Sequence, residues 1–278
     1  MATATPMTAR PELSEDGGYD VTVVTPSLNQ AAFIEQTLTS VLGQEGVSVQ
    51  YIVVDGGSED GTPAILERYK AELHTLIVEP DEGQADALRK GFALAEGQIC
   101  CYLNSDDYLL PGSLQRVVRY FKDHPGVDVV YGHRIFVDEN DSFLKYWILP
   151  PHIDYLMKRW DYIPQECAFW RRSAMLAVGG IDPRWQFAMD YDFFVRLMQR
   201  GRRFARWNVF LGAFRQHQAS KTSSLMSTVG IEEVEKVRKR HGIRIRSLDW
   251  GLAAALHGSI LCMSWLYKAL FGRPNRAG

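Results

Sequence analysis

Cysteine is scarce in this 278-residue chain, four in all. Cys100 and Cys101 are adjacent inside an apolar run, while Cys167 and Cys262 stand alone. No spacing matches a zinc site or a secreted disulfide framework, which favours a reducing compartment. Surplus charge is missing too. The 31 Lys and Arg against 33 Asp and Glu leave a formal net charge of −2, whereas nucleic-acid binders carry a basic excess, so no nucleic-acid partner is expected. Residues 1–18 are polar and acid-bearing without an apolar h-region. They read as a disordered arm, not as a secretory signal. Gly-x-x-x-x-Gly-Lys and Gly-x-Gly-x-x-Gly are both absent, which removes the P-loop and dinucleotide fingerprints.

What is present is an alternation of short β-branched runs with helical patterns from Tyr19 onward. Residues 21–25, 49–54, 76–78 and 99–103 read as strands. Between and after them, Ile34, Leu38, Val41 and Leu42, then Ile65, Leu66, Tyr69 and Leu73, then Leu88, Phe92 and Ala95, then Leu114, Val117, Val118 and Phe121 repeat at helix spacing. Thr62-Pro63 signals one helix start by a capping residue and a first-turn proline. Repeated β-α units predict an α/β fold, a doubly wound, mostly parallel sheet covered on both faces. After residue 126 the pattern becomes mixed. Strands are expected at 127–131, 134–137, 143–148, 167–171, 203–207 and 209–214, with a hairpin turn at 138–142 and a helix at 190–200 stopped by Gly201. The expected organisation is one domain at 19–225, made of halves 19–125 and 126–225, followed by a helical extension at 226–278.

Ligands of such sheets bind beyond the carboxyl ends of the strands. Those ends are polar here: Thr25-Pro26-Ser27-Leu28-Asn29-Gln30, Asp55-Gly56-Gly57-Ser58-Glu59-Asp60, Glu79-Pro80-Asp81-Glu82-Gly83-Gln84-Ala85-Asp86, and Asn104-Ser105-Asp106-Asp107. The last places paired carboxylates at the end of a buried strand. That position suits a hard divalent cation, Mn²⁺ or Mg²⁺, which takes one or two carboxylates and completes its shell with water and substrate phosphates. Capping of the helix that follows Pro111 would explain the same two acids.

The ordered set Thr-Pro-Ser-Leu-Asn, Val-Val-Asp-Gly-Gly-Ser-Glu-Asp-Gly-Thr, Gly-Gln-Ala-Asp-Ala, Leu-Asn-Ser-Asp-Asp and Met-Asp-Tyr-Asp-Phe, over residues 20–223, resembles the family 2 glycosyltransferases of the GT-A fold. The resemblance implies a nucleotide-sugar donor, a divalent metal and inversion at the anomeric carbon. It gives Asp55 the donor's base, with Pro26, Asn29 and Ser58 around it. Gln84, Asp86 and Lys90 border the donor sugar and diphosphate, and Asn104 and Ser105 join the donor pocket. Asp106 becomes the metal ligand, and Asp107 either shares the metal or orients the loop. His217, in Arg215-Gln216-His217-Gln218-Ala219-Ser220, approaches the metal or diphosphate. Asp190 becomes the general base that takes the acceptor's proton. Asn104 stands at the first position of the family's Asp-x-Asp motif and Met189 where an acid often precedes the base. Simpler readings exist beside these: a turn-forming Asp55, a solvated Lys90, a surface His217 and a helix-capping Asp190. Asp192 is expected to anchor its helix start. Trp160, Trp170, Trp185 and Phe187 divide between sugar stacking and core. A non-catalytic sugar-nucleotide-binding module and a nucleotidyltransferase are the alternatives in function.

The Gln-x-x-Arg-Trp motif of processive synthases is absent, so transfer of one or a few sugars to a glycan or lipid-linked acceptor is expected. Residues 250–271 are strongly apolar, near the length of a bilayer span, but broken by His257, Ser259, Ser264 and Lys268. Three placements follow: an interfacial helix over 248–271, a helix docked on the domain, or a span. The expected location is cytoplasmic, peripheral at the inner face of the cell membrane.

Overall fold

The computed structural model describes residues 18–218 and 226–274. The expected arm at 1–18 lies outside them except for Gly18, as do Ala219, Ser220 and the domain boundary near 225. Nine strands form one sheet. β1 (Val21–Ser27), β2 (Val49–Asp55), β3 (Thr75–Val78) and β4 (Ile99–Tyr102) are its parallel half, and α1 (Ile34–Leu42), α2 (Thr62–Tyr69) and α3 (Gln84–Ala93) are the crossovers. The order is β3-β2-β1-β4, so the strand order reverses beside β1, where ligands of open α/β sheets gather.

Side-chain alternation along these strands builds two cores. Val21, Val23, Val53, Cys101 and Leu103 pack beneath α1, α2 and α4 (Ser113–Asp123), whereas Val24, Ile52, Val54, Cys100 and Tyr102 face α3 and the helices that follow. The neighbouring cysteines therefore point to opposite faces. All four thiols are free, and burial pushes that of Cys100 up to about 12. α3 lies close on β1 because Gly91 has no side chain: an added Cβ would come 2.4 Å from Val24 Cγ1.

Beyond β4 the sheet changes character. β8 (Ala168–Arg171) runs antiparallel to β4, then come β6 (Val129–Val137), β9 (Phe204–Arg215) and the two-residue β5 (Tyr108–Leu109), with β7 (Phe143–Trp147) hairpinned onto β6. The two strands expected at 203–214 are one strand, β9. It pairs parallel to β6 through register shifts around His133, which absorb the irregularity that made the pattern look broken. Nothing in the sequence marked β5, which pairs with Gly212 and Ala213 of β9. The turn at 138–142 forms as expected, with Asp141 at φ 62° and the Asp138 carboxylate accepting the Asn140 and Ser142 N–H groups.

The short α5 (Asp154–Met157) and α6 (Arg172–Ala177) flank β8, and α7 (Met189–Gln199) covers the second core. α8 (Ile231–Arg240) packs on α7, and α9 (Ser247–Phe271) runs along the β6–β7 hairpin. Ser264 Oγ accepts the Ile148 N–H, and Asp249 receives the Tyr155 hydroxyl at 2.5 Å. Among the described residues no helix is long and apolar enough to cross a membrane, so the span placement of 250–271 falls away.

Gly91→Ala forces β1 and α3 apart and is expected to lower stability by about 1–3 kcal/mol, read from urea unfolding. An unchanged midpoint would show that this contact yields without cost.

Candidate functional site

The loop after β1 and the loop after β2 are laced together. The Asp55 carboxylate, fully buried, accepts the Gly57 N–H, the Ser58 N–H and the Ser58 hydroxyl, the last two at 2.8 and 2.6 Å. Ser58 Oγ in turn accepts the Asn29 N–H, and Asn29 Oδ1 accepts the Glu59 N–H. Asn29 holds φ 53° and Gly57 φ 88°, conformations that asparagine and glycine tolerate best. Pro26 is buried at the end of β1. The turn-forming role of Asp55 is therefore observed, and it fixes the carboxylate at the carboxyl edge of the sheet. Thr62 does not cap α2; its hydroxyl accepts the Gln30 N–H, while Asp60 accepts the Thr62 N–H.

On the next loop, Gln84 Nε2 donates to Asn104 Oδ1 at 2.6 Å, joining the start of α3 to the end of β4. Asp86 is engaged by Arg89 at 2.7 Å. Lys90 spans Glu79 at 2.8 Å, Asp86 at 3.4 Å and the Pro80 carbonyl, and the two acids, Glu79 first, hold its ammonium above the usual lysine range. Lys90 is thus a brace for the β3–α3 loop. It is neither the freely solvated lysine nor, as placed, a group reaching for a phosphate.

The acidic loop is set by β5. Its pairing with β9 brings Asn104, Ser105, Asp106 and Asp107 beside residues 215–217. The Asp107 carboxyl is buried and internal: Oδ1 accepts the Arg215 N–H at 3.0 Å and Oδ2 accepts Gln165 Nε2 at 3.3 Å. Burial, then Asp106, then Glu166 push it well above the usual carboxylate range. Its geometry matches the loop-orienting alternative. Asp106 points elsewhere. His217 Nε2 donates to Asp106 Oδ2 at 3.0 Å, and the His217 ring lies 4.6 Å from that of Phe33. The histidine is therefore oriented by two contacts distant in sequence, which replaces the surface-loop reading. Neither Asp106 nor Asp107 caps α4, which starts after Gly112.

No group of three or more His, Cys, Asp or Glu suited to hold a metal exists among the described residues. The Asp106–His217 pair offers one carboxylate oxygen and one imidazole nitrogen. That donor set suits Mn²⁺, or Mg²⁺ with less help from the imidazole, when substrate phosphates and water supply the rest.

Asp190 sits in the first turn of α7 but is not its cap. The N–H groups of Gln186, Phe187 and Ala188 all go to the Glu233 carboxylate of α8, at 2.8–3.1 Å. Asp192 is buried on the far side of α7 and holds Arg196 at 2.7 Å and His241 at 2.9 Å, so it ties α7 to α8 rather than anchoring the helix start. The charge of Asp190 acts on Asp161, a surface residue the sequence pattern did not single out. Crowding by the surrounding protein, then the Asp190 charge, raise the Asp161 carboxyl well above its ordinary range, although it still meets solvent. The Tyr102 phenol at the end of β4 feels Asp190, Asp161, Glu166 and Asp107 together. Four carboxylates from separate segments therefore gather past the end of β4. Trp170 is core, packed against Phe92, Tyr102 and Phe193, and Trp185 is nearly buried. Trp160 and Phe187 remain half-buried.

A family model described as glycosyl transferase family 2 matches residues 22–175, more than half of the chain. A PGL/p-HBAD biosynthesis glycosyltransferase of Mycobacterium tuberculosis is 29% identical over 178 residues, covering 63% of this chain and 68% of its own. The putative teichuronic acid biosynthesis glycosyltransferase TuaG of Bacillus subtilis is 29% identical over 138 residues, 49% of this chain and 55% of its own. Among solved structures, S. aureus TarS 1-349 in complex with UDP-GlcNAc superposes with a TM-score of 0.65 at 17% identity, over 80% of this chain and 65% of that one. The mannosyltransferase PcManGT from Pyrobaculum calidifontis, in complex with GDP-Man and Mn²⁺, gives 0.56 at 18% identity, over 91% and 83%. The fold shared with them is GT-A.

Asp107→Asn is expected to keep the thermal midpoint within about 3 °C of wild type or to raise it. The amide can accept from Arg215 and donate to Gln165 Oε1, which has no partner of its own. Asp107→Ala strands the Arg215 N–H and should cost about 1–3 kcal/mol. A larger loss for Asn than for Ala would refute this role.

Proposed function

This chain belongs to glycosyltransferase family 2, and we propose that it is an inverting, divalent-metal-dependent enzyme. It would move a sugar from a nucleotide-sugar donor to a glycan or lipid-linked acceptor of the cell surface. The observation that carries this reading is convergence. Asp106 and His217 meet across 111 positions of sequence, and Asp190, Asp161, Glu166 and Asp107, from separate loops and helices, all act on the Tyr102 phenol at the end of β4. The donor class follows the neighbours, TarS with UDP-GlcNAc and PcManGT with GDP-Man. The cell-surface role follows relatives named for PGL/p-HBAD and teichuronic acid biosynthesis.

In this reading the laced loops around Asp55, Asn29 and Ser58 seat the nucleoside, against Pro26. Gln84 and Asn104 present amide groups to ribose or sugar hydroxyls, and Asp86 and Lys90 keep that wall in place. Asp106 and His217 would hold the metal, whose charge stabilises the departing nucleoside diphosphate. Asp190 takes the proton from the acceptor hydroxyl as its oxygen attacks the anomeric carbon. Attack from the face opposite the leaving diphosphate breaks the sugar–phosphate bond in one displacement and inverts the centre.

UDP or GDP is expected to raise the melting temperature with Mn²⁺ and to do so much less in its absence or in His217→Ala. Asp190→Asn should preserve the nucleotide shift and lose donor hydrolysis and transfer by about 10²-fold or more. Wild-type hydrolysis rates in Asp190→Asn would refute the assignment.

We place α9 on the membrane surface. Its buried stripe, with Asp249, Ile260 and Ser264, docks on the domain. Its outer face shows Trp250, Leu261, Trp265, Leu266 and Leu270, all largely exposed, with Arg244 and Arg246 before the helix and Lys268 and Arg273 at its end. Tryptophans near both ends and flanking cations match an anionic lipid surface. Removing residues 248–278 would also strip Ser264 from Ile148, so substitution is the cleaner test. The Trp250→Ser, Trp265→Ser double variant should lose most cosedimentation with phosphatidylglycerol-containing vesicles while its melting temperature holds. Equal binding by the variant would rule the placement out.

A further inference from the structure

The face of the β6–β7 hairpin that carries Arg134, Phe136, Lys145 and Trp147 is cationic and aromatic. The Arg134 guanidinium on β6 lies 4.6 Å from the Phe136 ring and 4.8 Å from the Phe214 ring. Across the hairpin the Lys145 ammonium lies 4.5 Å from the Phe136 ring and 5.3 Å from that of Trp147. The three rings pack edge to face, Phe136 being 5.6 Å from Trp147 and 5.4 Å from Phe214. Two like charges thus share one aromatic platform.

Their compensation is incomplete. Arg134 meets one carboxylate, Glu166, at 3.3 Å, and its buried Nε has no hydrogen-bond acceptor. Glu166 Oε2 is likewise buried without a donor. Lys145 forms no ion pair among the described residues, and partial burial followed by the Arg134 charge lowers its proton affinity. Buried donors without partners are rare in folded proteins, and two cations that share one carboxylate leave positive charge uncompensated. Geometry ties Arg134 to the acidic loop, because its partner Glu166 adjoins Gln165, which donates to Asp107 at 3.3 Å. The hairpin belongs to the half that presents Asp190, the group that must touch the acceptor hydroxyl, whereas the nucleotide-facing loops follow β1 to β4.

We propose that Arg134 and Lys145, on the Phe136–Trp147–Phe214 platform, form a subsite for a phosphate group carried by the acceptor. Arg134 offers a planar fork for two phosphate oxygens and Lys145 a point charge for a third contact. The subsite rests on the reading of the acidic cluster as a sugar-transfer site and adds that the acceptor is anionic near its reacting hydroxyl. Two sources share this chemistry, a phosphate within a glycan and the phosphate of a lipid-linked sugar. α9 passes the same hairpin, with His257 5.7 Å from Trp147, so either source would enter near the apolar helix.

The test is calorimetric titration of the full chain with octyl phosphate, inorganic phosphate and neutral octyl glucoside. Octyl phosphate should bind saturably, and Lys145→Glu should weaken it about tenfold or more. Arg134→Lys, which keeps a charge beside Glu166, should weaken it less and leave the melting temperature near wild type. Inorganic phosphate bound as tightly as octyl phosphate points to a glycan phosphate, and preference for the octyl ester to a lipid phosphate; both support the subsite. Octyl phosphate affinity equal in wild type and Lys145→Glu, or no saturable binding by wild type, overturns it and leaves the cluster a cation–π brace for the hairpin. Melting shifts with UDP or GDP and Mn²⁺ are read in the same variants and should not change. Failure of nucleotides to bind wild type, with Lys145-dependent phosphate binding intact, would remove the transferase reading and keep the anion subsite.

Discussion

The hold of Arg215 on the Asp106–Asp107 loop is the contact on which the site depends. The backbone N–H of Arg215 meets Asp107 Oδ1, and its Nε meets the Asp106 carbonyl, both at 3.0 Å. Its remaining nitrogens reach the Asp138 carbonyl and the Gln36 side chain, and its guanidinium lies 5.0 Å from the Phe33 ring. One buried residue at the end of β9 therefore joins the β4 loop, the start of α1 and the β6–β7 turn. A charged donor with several acceptors in fixed directions is well suited to this, because each bond restricts the same planar group. Asp106 and His217 meet only because that clasp brings the last residues of β9 alongside the loop.

The clasp also explains why the sheet changes direction. A purely parallel continuation would have carried the chain past the end of β4 and left the acidic loop facing solvent. Antiparallel β8 fills the position beside β4 instead, and β6 and β9 then extend the sheet under the loop. Gln165 and Glu166, in the turn just before β8, are thereby placed beneath Asp107 and next to Arg134. The parallel half supplies an edge for a nucleotide, and the mixed half brings acids and cations to the opposite wall.

Much of this was legible in the chain. The four β-α units, the polar strand ends and the hairpin at 138–142 follow from local pattern, since periodicity and turn chemistry act within a few residues. The ordered motifs made the family and its fold legible as well. What escaped notice depends on partners far away in sequence. β5 has two residues and exists because β9 is there to pair with it. Thr62 looked like a cap, yet its hydroxyl is committed to Gln30, thirty-two residues earlier. Asp190 looked like a possible cap; it lies inside the first turn and accepts the Tyr191 N–H, while Glu233 of α8 holds the three N–H groups just before the helix. Asp161 sits in an unremarkable Trp-Asp-Tyr stretch and becomes notable only because the charge of Asp190 on α7 acts on it. Lys145 carried no motif, and its importance comes from Arg134 across the hairpin.

The distribution of unsatisfied polar atoms sharpens the distinction between structural and functional polarity. Asp55, Asp107, Asp192 and Asp249 are buried acids, and each has its oxygens matched by donors. These acids make the loops and helices rigid. Gln165 Oε1, Glu166 Oε2 and Arg134 Nε are buried without partners and lie together beside Asp107. Each such atom costs about 1–3 kcal/mol of desolvation that a hydrogen bond would have offset. Replacing the trio by apolar residues would remove that cost, so stability alone gives no reason for it. Its members instead run from Asp107, the carboxyl that orients the acidic loop, to Arg134, the cation across the hairpin from Lys145. A polar cluster left incomplete by its own protein, at the boundary between a proton acceptor and a cationic platform, is what a site needs if its last hydrogen bonds are to be made with substrate.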